Sequence, residues 1–266
     1  MTREELVKLI EKRLLDKGFE SSRFEAQQIA EMALRCDNAA LVAEQMTEKR
    51  LSHYPLQYIL GEWEFYGLPI LVGDGVLIPR QDTETVVDVA LNLLKGQKSP
   101  TVFDICAGSG CIGIALAKKL ETKAYFFEKS EKALQYLKKN IALNKIDGEI
   151  LACDALKADL EEFQGTADII VSNPPYIKSA VVPTLDIEVG HEPKMALDGG
   201  DDGLVFYKAI AEKWKQSLKK NGIIVFEIGF DQADEVAEIL QKNGYKNIKI
   251  TNDLCGNPRV VSAQIC

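Results

Sequence analysis

From Pro100 to the carboxyl end, short apolar runs alternate with longer amphipathic ones, and this alternation restricts the fold more than any other feature of the chain. Thr101–Cys106, Lys123–Glu128, Glu149–Cys153, Asp168–Ser172 and Gly222–Ile228 read as strands. Cys111–Leu120, Ser130–Asn144, Leu204–Lys219 and Gln232–Asn243 carry the 3–4 apolar spacing of helices. Strand, helix, strand in succession predicts a mainly parallel sheet with helices on both faces. Tyr245–Thr251 and Arg259–Ile265 follow with no long helix between them, so this last pair is expected to be antiparallel. The fold class is α/β, with a sheet of seven strands.

The amino-terminal part has another character. Residues 1–60 read as a small all-helical domain, with Leu6, Leu9, Ile10, Arg13 and Leu14 forming a stripe along the first helix. Ser22-Arg23-Phe24-Glu25 has the form of a capping box, and Phe24, Ile29, Met32 and Ala33 are expected to line the helix it opens. So small a unit buries little by itself and must lean on something else. Residues 61–75 read as a β-hairpin linker, from the runs Glu62–Tyr66 and Pro69–Val72 about Gly67. Trp63, Phe65 and Tyr66 are expected in the hairpin's core, and His191 in an ordinary loop. The α/β domain then spans 76–266, with a first helix from Thr85 to about Leu94.

Two loops of the α/β part can hold a ligand. In Asp104-Ile105-Cys106-Ala107-Gly108-Ser109-Gly110, small residues between strand and helix let a ligand approach the backbone, although the same letters suit a plain tight turn. The next strand ends in Glu128, 18 residues after Gly110. A carboxylate there can accept from vicinal ribose hydroxyls, which leaves NAD and S-adenosylmethionine both open. Asp154, beside Ala155 at the end of the third strand, can accept from an adenine amino group or stand as a loop charge.

Asn173-Pro174-Pro175-Tyr176 follows the fourth strand directly, at the edge where open α/β sheets bind ligands. The prolines fix the chain direction and leave only carbonyls. An amide nitrogen is a poor nucleophile with two N–H donors. The Asn173 carbonyl oxygen and the Pro174 carbonyl can hold both hydrogens and aim the nitrogen at a methyl group, while the Tyr176 ring stacks on the flat group. A nicotinamide oxidoreductase leaves this motif without a role. An exocyclic amine of a flipped nucleic-acid base would suit it, but that reading calls for a basic groove.

Composition argues against such a groove. Net charge is −8; residues 1–73 hold 9 Lys and Arg against 12 Asp and Glu, hence −3, and the rest carry −5. Direct nucleic-acid binding is therefore not expected. The six cysteines form no C-x-x-C pair and the two histidines lack metal-ligand spacing, so no metal is expected and the thiols read as buried and reduced. No apolar run approaches the roughly 20 residues of a membrane span, and the amino terminus lacks a signal core, so a cytoplasmic protein is expected.

The motifs taken together resemble the release-factor glutamine methyltransferases, the PrmC/HemK family, over nearly the whole chain. The resemblance rests on Gly61–Gly67, on Leu77-Ile78-Pro79-Arg80-Gln81-Asp82-Thr83-Glu84 and on Val171–Ile177 around the Asn-Pro-Pro-Tyr corner. It extends to Glu192-Pro193, Ala196–Leu204 and Gly256-Asn257-Pro258-Arg259. It implies a Rossmann-like class I methyltransferase sheet and transfer of a methyl group from S-adenosylmethionine, leaving S-adenosylhomocysteine. The acceptor it implies is the glutamine side-chain nitrogen in the Gly-Gly-Gln loop of peptide chain release factors, which act in translation termination. By the same resemblance Cys106, Ala107, Gly108, Ser109 and Gly110 cradle the methionine part, Glu128 takes the ribose, and Asp154 and Ala155 lie beside adenine. Asn173 touches cofactor and glutamine, and Pro174, Pro175 and Tyr176 complete the glutamine slot. Arg80–Glu84 would cover the pocket, and the helical domain would bind the protein partner. Cys106 replaces the family's usual glycine and Glu128 its usual aspartate; a cysteine there demands a negative φ or local strain.

Overall fold

The computed structural model describes residues 2–265. Helices α1 (Arg3–Asp16), α2 (Ser22–Ala33), α3 (Ala39–Leu51) and α4 (Leu56–Leu60) build the amino-terminal unit. Thr2 and Glu5 form the capping box that opens α1: the Thr2 hydroxyl accepts from the Glu5 N–H at 3.2 Å, and Glu5 Oε2 from the Thr2 N–H at 2.8 Å. The buried stripe of α1 is Leu6, Val7, Ile10 and Leu14, whereas Leu9 lies outside at 49% exposure. The capping box expected at Ser22 does not form, because Ser22 is already helical and Ser21 caps without a side-chain bond. Glu25 turns inward and takes a two-pronged bond from Arg50 of α3, at 2.6 and 2.9 Å. A buried, charge-assisted fork outweighs one exposed cap bond. Phe24 is correspondingly on the outer side, edge-on to Trp63.

The hairpin pairs β1 (Glu62–Phe65) with β2 (Leu68–Leu71) around a two-residue turn. Tyr66 and Gly67 both have positive φ, 53° and 74°, as such a tight turn requires. Phe65 and Ile70 are buried among the side chains of the α/β domain. Asn140 and Asn144, from a helix of that domain, bond the hairpin backbone at Leu71 and Pro69. The hairpin is thus packed onto the α/β domain as part of its core.

Beyond it come α5 (Glu84–Leu93), β3 (Val102–Ile105), α6 (Cys111–Leu120), β4 (Ala124–Glu128), α7 (Glu131–Asn144), β5 (Gly148–Ala152) and β6 (Ala167–Ser172). Then follow α8 (Val205–Lys213), β7 (Leu218–Glu227), α9 (Ala233–Lys242), β8 (Lys246–Asn252) and β9 (Pro258–Gln264). The sheet order is β5-β4-β3-β6-β7-β9-β8. β3 through β7 pair in parallel, and β9 runs antiparallel between β7 and β8. The helix expected over 204–219 stops at Lys213, where a 3-10 turn takes over. Trp214, fully buried, donates its indole N–H to the Ala155 carbonyl, and Leu218 already pairs with Ala167.

Alternation along the strands sends side chains into two cores. Val102, Phe126, Ile169 and Val225 face α5, α6, α7 and the hairpin. Phe103, Ile105, Phe127 and Phe226 face α8 and α9 with Trp214 and Tyr207. Of the five cysteines described, all free, Cys111 is buried, Cys106 and Cys153 are half-buried, and Cys36 and Cys255 lie on the surface, contrary to the expectation of burial; Cys266 falls outside the described residues. Among the described residues no helix is long and apolar enough to cross a membrane.

Candidate active site

Strand order reverses between β3 and β6, and a cavity of about 330 Å³ opens there at the carboxyl ends of the parallel strands. Four strand ends supply its floor: Cys106–Ser109 after β3, Glu128–Ser130 at β4, Cys153–Leu156 after β5, and Asn173 with Pro175 after β6. Gly75–Arg80 and Thr83 form one wall, and Pro193, Met195, Ala196, Asp198 and Phe206 another.

The glycine loop is held from three sides. Asp104 on β3 accepts from the Gly113 N–H at 2.8 Å and so ties the strand to α6. Asn140 on α7 donates to the Ser109 carbonyl at 2.9 Å. Glu128 Oε2 accepts from the Gly108 N–H at 2.8 Å, while its Oε1 accepts from the N–H groups of Lys129 and Ser130 at 2.8 and 2.6 Å. Three backbone donors therefore fix one carboxylate at the cavity edge. Cys106 stands at φ 59°, in the left-handed region, so the strained alternative foreseen for this position is the one realised, at a cost of roughly 1–2 kcal/mol. Burial drives its thiol pKa up, with the charges of Glu128 and Asp104 acting the same way.

Asp154 also faces the cavity, and its carboxylate is engaged by Lys129 at 2.9 Å and by the Leu156 N–H at 3.0 Å. Burial works to raise its pKa, but these two bonds prevail and hold it below the usual carboxylate range. The Asn173 carboxamide donates Nδ2–H to Thr83 Oγ1 at 3.4 Å, and its Oδ1 accepts from no donor among the described residues.

The structure brings Cys106, Ala107, Gly108, Ser109, Glu128, Asp154, Ala155, Asn173 and Pro175 to one cavity. Three expected site residues stand off its surface. Gly110 caps α6 at φ 82° against Leu137. Pro174 is buried under the corner. Tyr176 packs beside the α8–α9 core, and its hydroxyl reaches Glu227 Oε1 at 3.4 Å. Of Arg80–Glu84, Arg80 and Thr83 border the cavity, whereas Glu84 accepts from the Tyr66 N–H in the hairpin. Glu192, 4% exposed, accepts from the Ile78 N–H at 2.9 Å and pairs with Arg80, so it clamps the two walls together. Sequence reasoning did not single out Ser130, Met195 or Phe206 as lining residues. None belongs to a motif of its own, and only the folded walls bring them in.

Sheet order, glycine loop, fixed strand-end carboxylate and Asn-Pro-Pro-Tyr corner define a Rossmann-like methyltransferase. Residues 81–192 match the methyltransferase small domain family. A solved methyltransferase of Pyrococcus furiosus shares the fold, with a TM-score of 0.55 at 18% identity over 75% of this chain and 90% of that one. A release factor glutamine methyltransferase of Fusobacterium nucleatum is 41% identical over 84% of this chain and 63% of its own length. Another, of Thermodesulfovibrio yellowstonii, is 38% identical over 89% of this chain and 88% of its own. The chain belongs to the release factor glutamine methyltransferase family.

Proposed function

We propose that the protein transfers the methyl group of S-adenosylmethionine to the side-chain nitrogen of the glutamine in the Gly-Gly-Gln loop of peptide chain release factors. The observation that carries this reading is the Asn173 carboxamide, tethered through its nitrogen to Thr83, at the same cavity as the Glu128 carboxylate.

The residues present suit that cofactor. Gly108 has positive φ and nothing within 4 Å of where a Cβ would stand, so its backbone is open to a ligand. Glu128 is oriented by its three N–H donors and keeps one lone pair, on Oε2, for a ribose hydroxyl. Asp154 and Ala155 bound the place assigned to adenine, and Ile112, Phe127 and Leu156 give it apolar surface. When bound, S-adenosylmethionine supplies an electrophilic methyl on a sulfonium and leaves as S-adenosylhomocysteine.

The chain's own part is to hold a weak nucleophile in line. Asn173 Oδ1 accepts one N–H of the substrate amide, and the second is assigned to the carbonyl of Pro174, a buried residue between the cavity-lining Asn173 and Pro175; together they fix the amide plane and favour positive charge growing on nitrogen. As the N–C bond forms and the C–S bond breaks, the nitrogen's proton becomes acidic and passes to solvent. Pro175 closes the slot, and Tyr176 supports it from behind. The helical domain is assigned to docking the release factor, in the cytoplasm, with no direct nucleic-acid contact. In support, Arg50 of that domain reaches Glu188 at 2.7 Å, and Tyr54 stacks edge-on to His191; both partners precede the cavity wall at Pro193.

The test is incubation with methyl-labelled S-adenosylmethionine and purified release factor, intact or with the loop glutamine replaced. Label is expected in the intact factor alone. Incorporation indifferent to the replacement would reject the assignment.

A further inference from the structure

Gly256-Asn257-Pro258-Arg259 carries part of the family resemblance, yet no step of the reaction above uses it. In the fold this segment builds a rigid post. Gly256 stands at φ 88° and closes a turn, its N–H donating to the Asp253 carbonyl at 3.1 Å. The Asp253 carboxylate, with its side chain 1% exposed, accepts through Oδ1 from the N–H groups of Cys255 and Asn257 at 2.9 and 3.0 Å. Its Oδ2 accepts from Nε and Nη2 of Arg259 at 3.3 and 3.2 Å, and Arg259 Nη1 donates to the Ile228 carbonyl at 3.3 Å. A planar guanidinium engaged through all three nitrogens has little freedom to swing.

One contact of this guanidinium leaves the sheet. Arg259 Nη2 lies 3.2 Å from Asp82 Oδ2. Asp82 sits in the 3-10 turn Gln81–Thr83, which the Thr83 N–H closes on the Arg80 carbonyl at 3.1 Å. Thr83 is the next residue, 2% exposed, and its Oγ1 accepts from Asn173 Nδ2 at 3.4 Å. In so tight a turn, holding Asp82 also holds the Thr83 hydroxyl. The Asp82 side chain is 46% exposed, and Arg259 is its only ion-pair partner among the described residues. Arg80 is tied to Glu192, and Glu84 to the Tyr66 N–H. Those two ties fix the ends of the segment and leave its middle to Arg259.

The geometry points to Arg259 as a positioning residue: through Asp82 it sets the Thr83 hydroxyl, and so holds the Asn173 carboxamide with its nitrogen on Thr83 and its oxygen left for the substrate. The inference rests on the methyl-transfer reading above. Neither Arg259 nor Asp82 lines the cavity, so an effect on the reaction must travel through the turn. An ion pair with a half-exposed partner adds little to folding. Its removal therefore separates two roles. A stability contact alone would shift melting slightly and leave turnover untouched. A positioning contact moves turnover far more than melting, because small misplacements at a reacting centre are costly.

The experiment measures kcat for label transfer to release factor, the cofactor KM and Tm. The proteins are the wild type, Asp82→Asn, Asp82→Glu, Arg259→Gln, Thr83→Val and the double variant Asp82→Asn/Thr83→Val. Asp82→Asn is expected to lose about tenfold in kcat, as a partly misaimed group does, with near-normal melting. The cofactor KM should move less than kcat, because Glu128 and residues 106–109 lie outside the turn. Asp82→Glu, which keeps the charge, should recover most of the loss. Arg259→Gln should lose at least as much kcat and also melt lower, since it strips Asp253 of the same partner. In the Thr83→Val background Asp82→Asn should add almost nothing, because both changes act on one bond. Wild-type kcat in Asp82→Asn or in Arg259→Gln would overturn the inference, and so would full additivity in the double variant. If Arg259→Gln does not fold, the Asp82 variants decide by the same readouts. Should the wild type itself transfer no methyl to glutamine, the functional reading fails and this inference with it. Transfer by the wild type with an unaltered Asp82→Asn removes the inference alone.

Discussion

Replacing Asn173 by alanine separates catalysis from stability, because the structure assigns very different magnitudes to the two. Among the described residues the side chain makes one hydrogen bond, to Thr83 Oγ1, and at 3.4 Å it is a long one. Losing such a bond is worth no more than about 1 kcal/mol. For a chain of this size that lowers Tm by about 2–4 °C. The corner is meanwhile held by Pro174 and Pro175, whose fixed φ does not depend on the Asn173 side chain. On the catalytic side the substitution removes one of two acceptors for the substrate N–H groups. Loss of one preorganised hydrogen-bonding group at a reacting centre costs about 10²–10³ in rate, or about 2.7–4 kcal/mol. The expected result is a kcat lower by that factor with near-normal melting. Label transfer to release factor and differential scanning calorimetry measure the two sides. A kcat within about tenfold of wild type would show that the carboxamide does not carry the transition state. A collapse of Tm paralleling the loss of activity would show that the side chain is structural.

Two further outcomes follow from buried charge. Burial, reinforced by the Glu128 charge and only partly offset by the Gly113 N–H, pushes Asp104 up to about 8, against an unfolded value near ~3.9. The folded chain then binds this proton more tightly than the unfolded one, so the associated stability is complete below about pH 4 and lost as pH rises through about 8. Asp104→Asn, which keeps an acceptor for Gly113, should therefore melt progressively higher than wild type as pH increases from about 5 to about 9; a constant difference would refute the linkage. Arg50→Ala leaves Glu25 buried without its partner and should cost about 3–5 kcal/mol in denaturant unfolding. Arg50→Ala combined with Glu25→Ala should cost less than the sum of the single changes. Strict additivity would mean that the pair does not act as a unit.

Local pattern made the frame of this protein legible before any coordinates. Strand–helix alternation set the parallel sheet, since a 2-residue or 3.6-residue period reports which face of a segment is buried. Cys106–Ser109, Glu128, Asp154 and Asn173 were readable because each follows a strand, and all parallel strand ends meet at one edge of the sheet. Pattern failed where local and distant partners compete for one group. Glu25 fits a cap by sequence and is claimed by Arg50 in space. Phe24 and Leu9 are apolar yet face outward, because helix rotation is set by neighbouring helices. Tyr176 was read as a stacking surface, and the fold turns its hydroxyl toward Glu227.

By itself, then, the sequence determined the layer architecture, the family and the strand-end residues, all of which are written in spacings of a few residues. The tertiary structure alone decided that β9 lies between β7 and β8, that Glu192 joins the cavity walls, that Thr83 bonds Asn173, and that Glu227 meets Tyr176. These partners are 51 to 112 residues apart along the chain. A hydrogen bond requires two groups within about 3.5 Å, and no periodicity carries that distance across so long a separation.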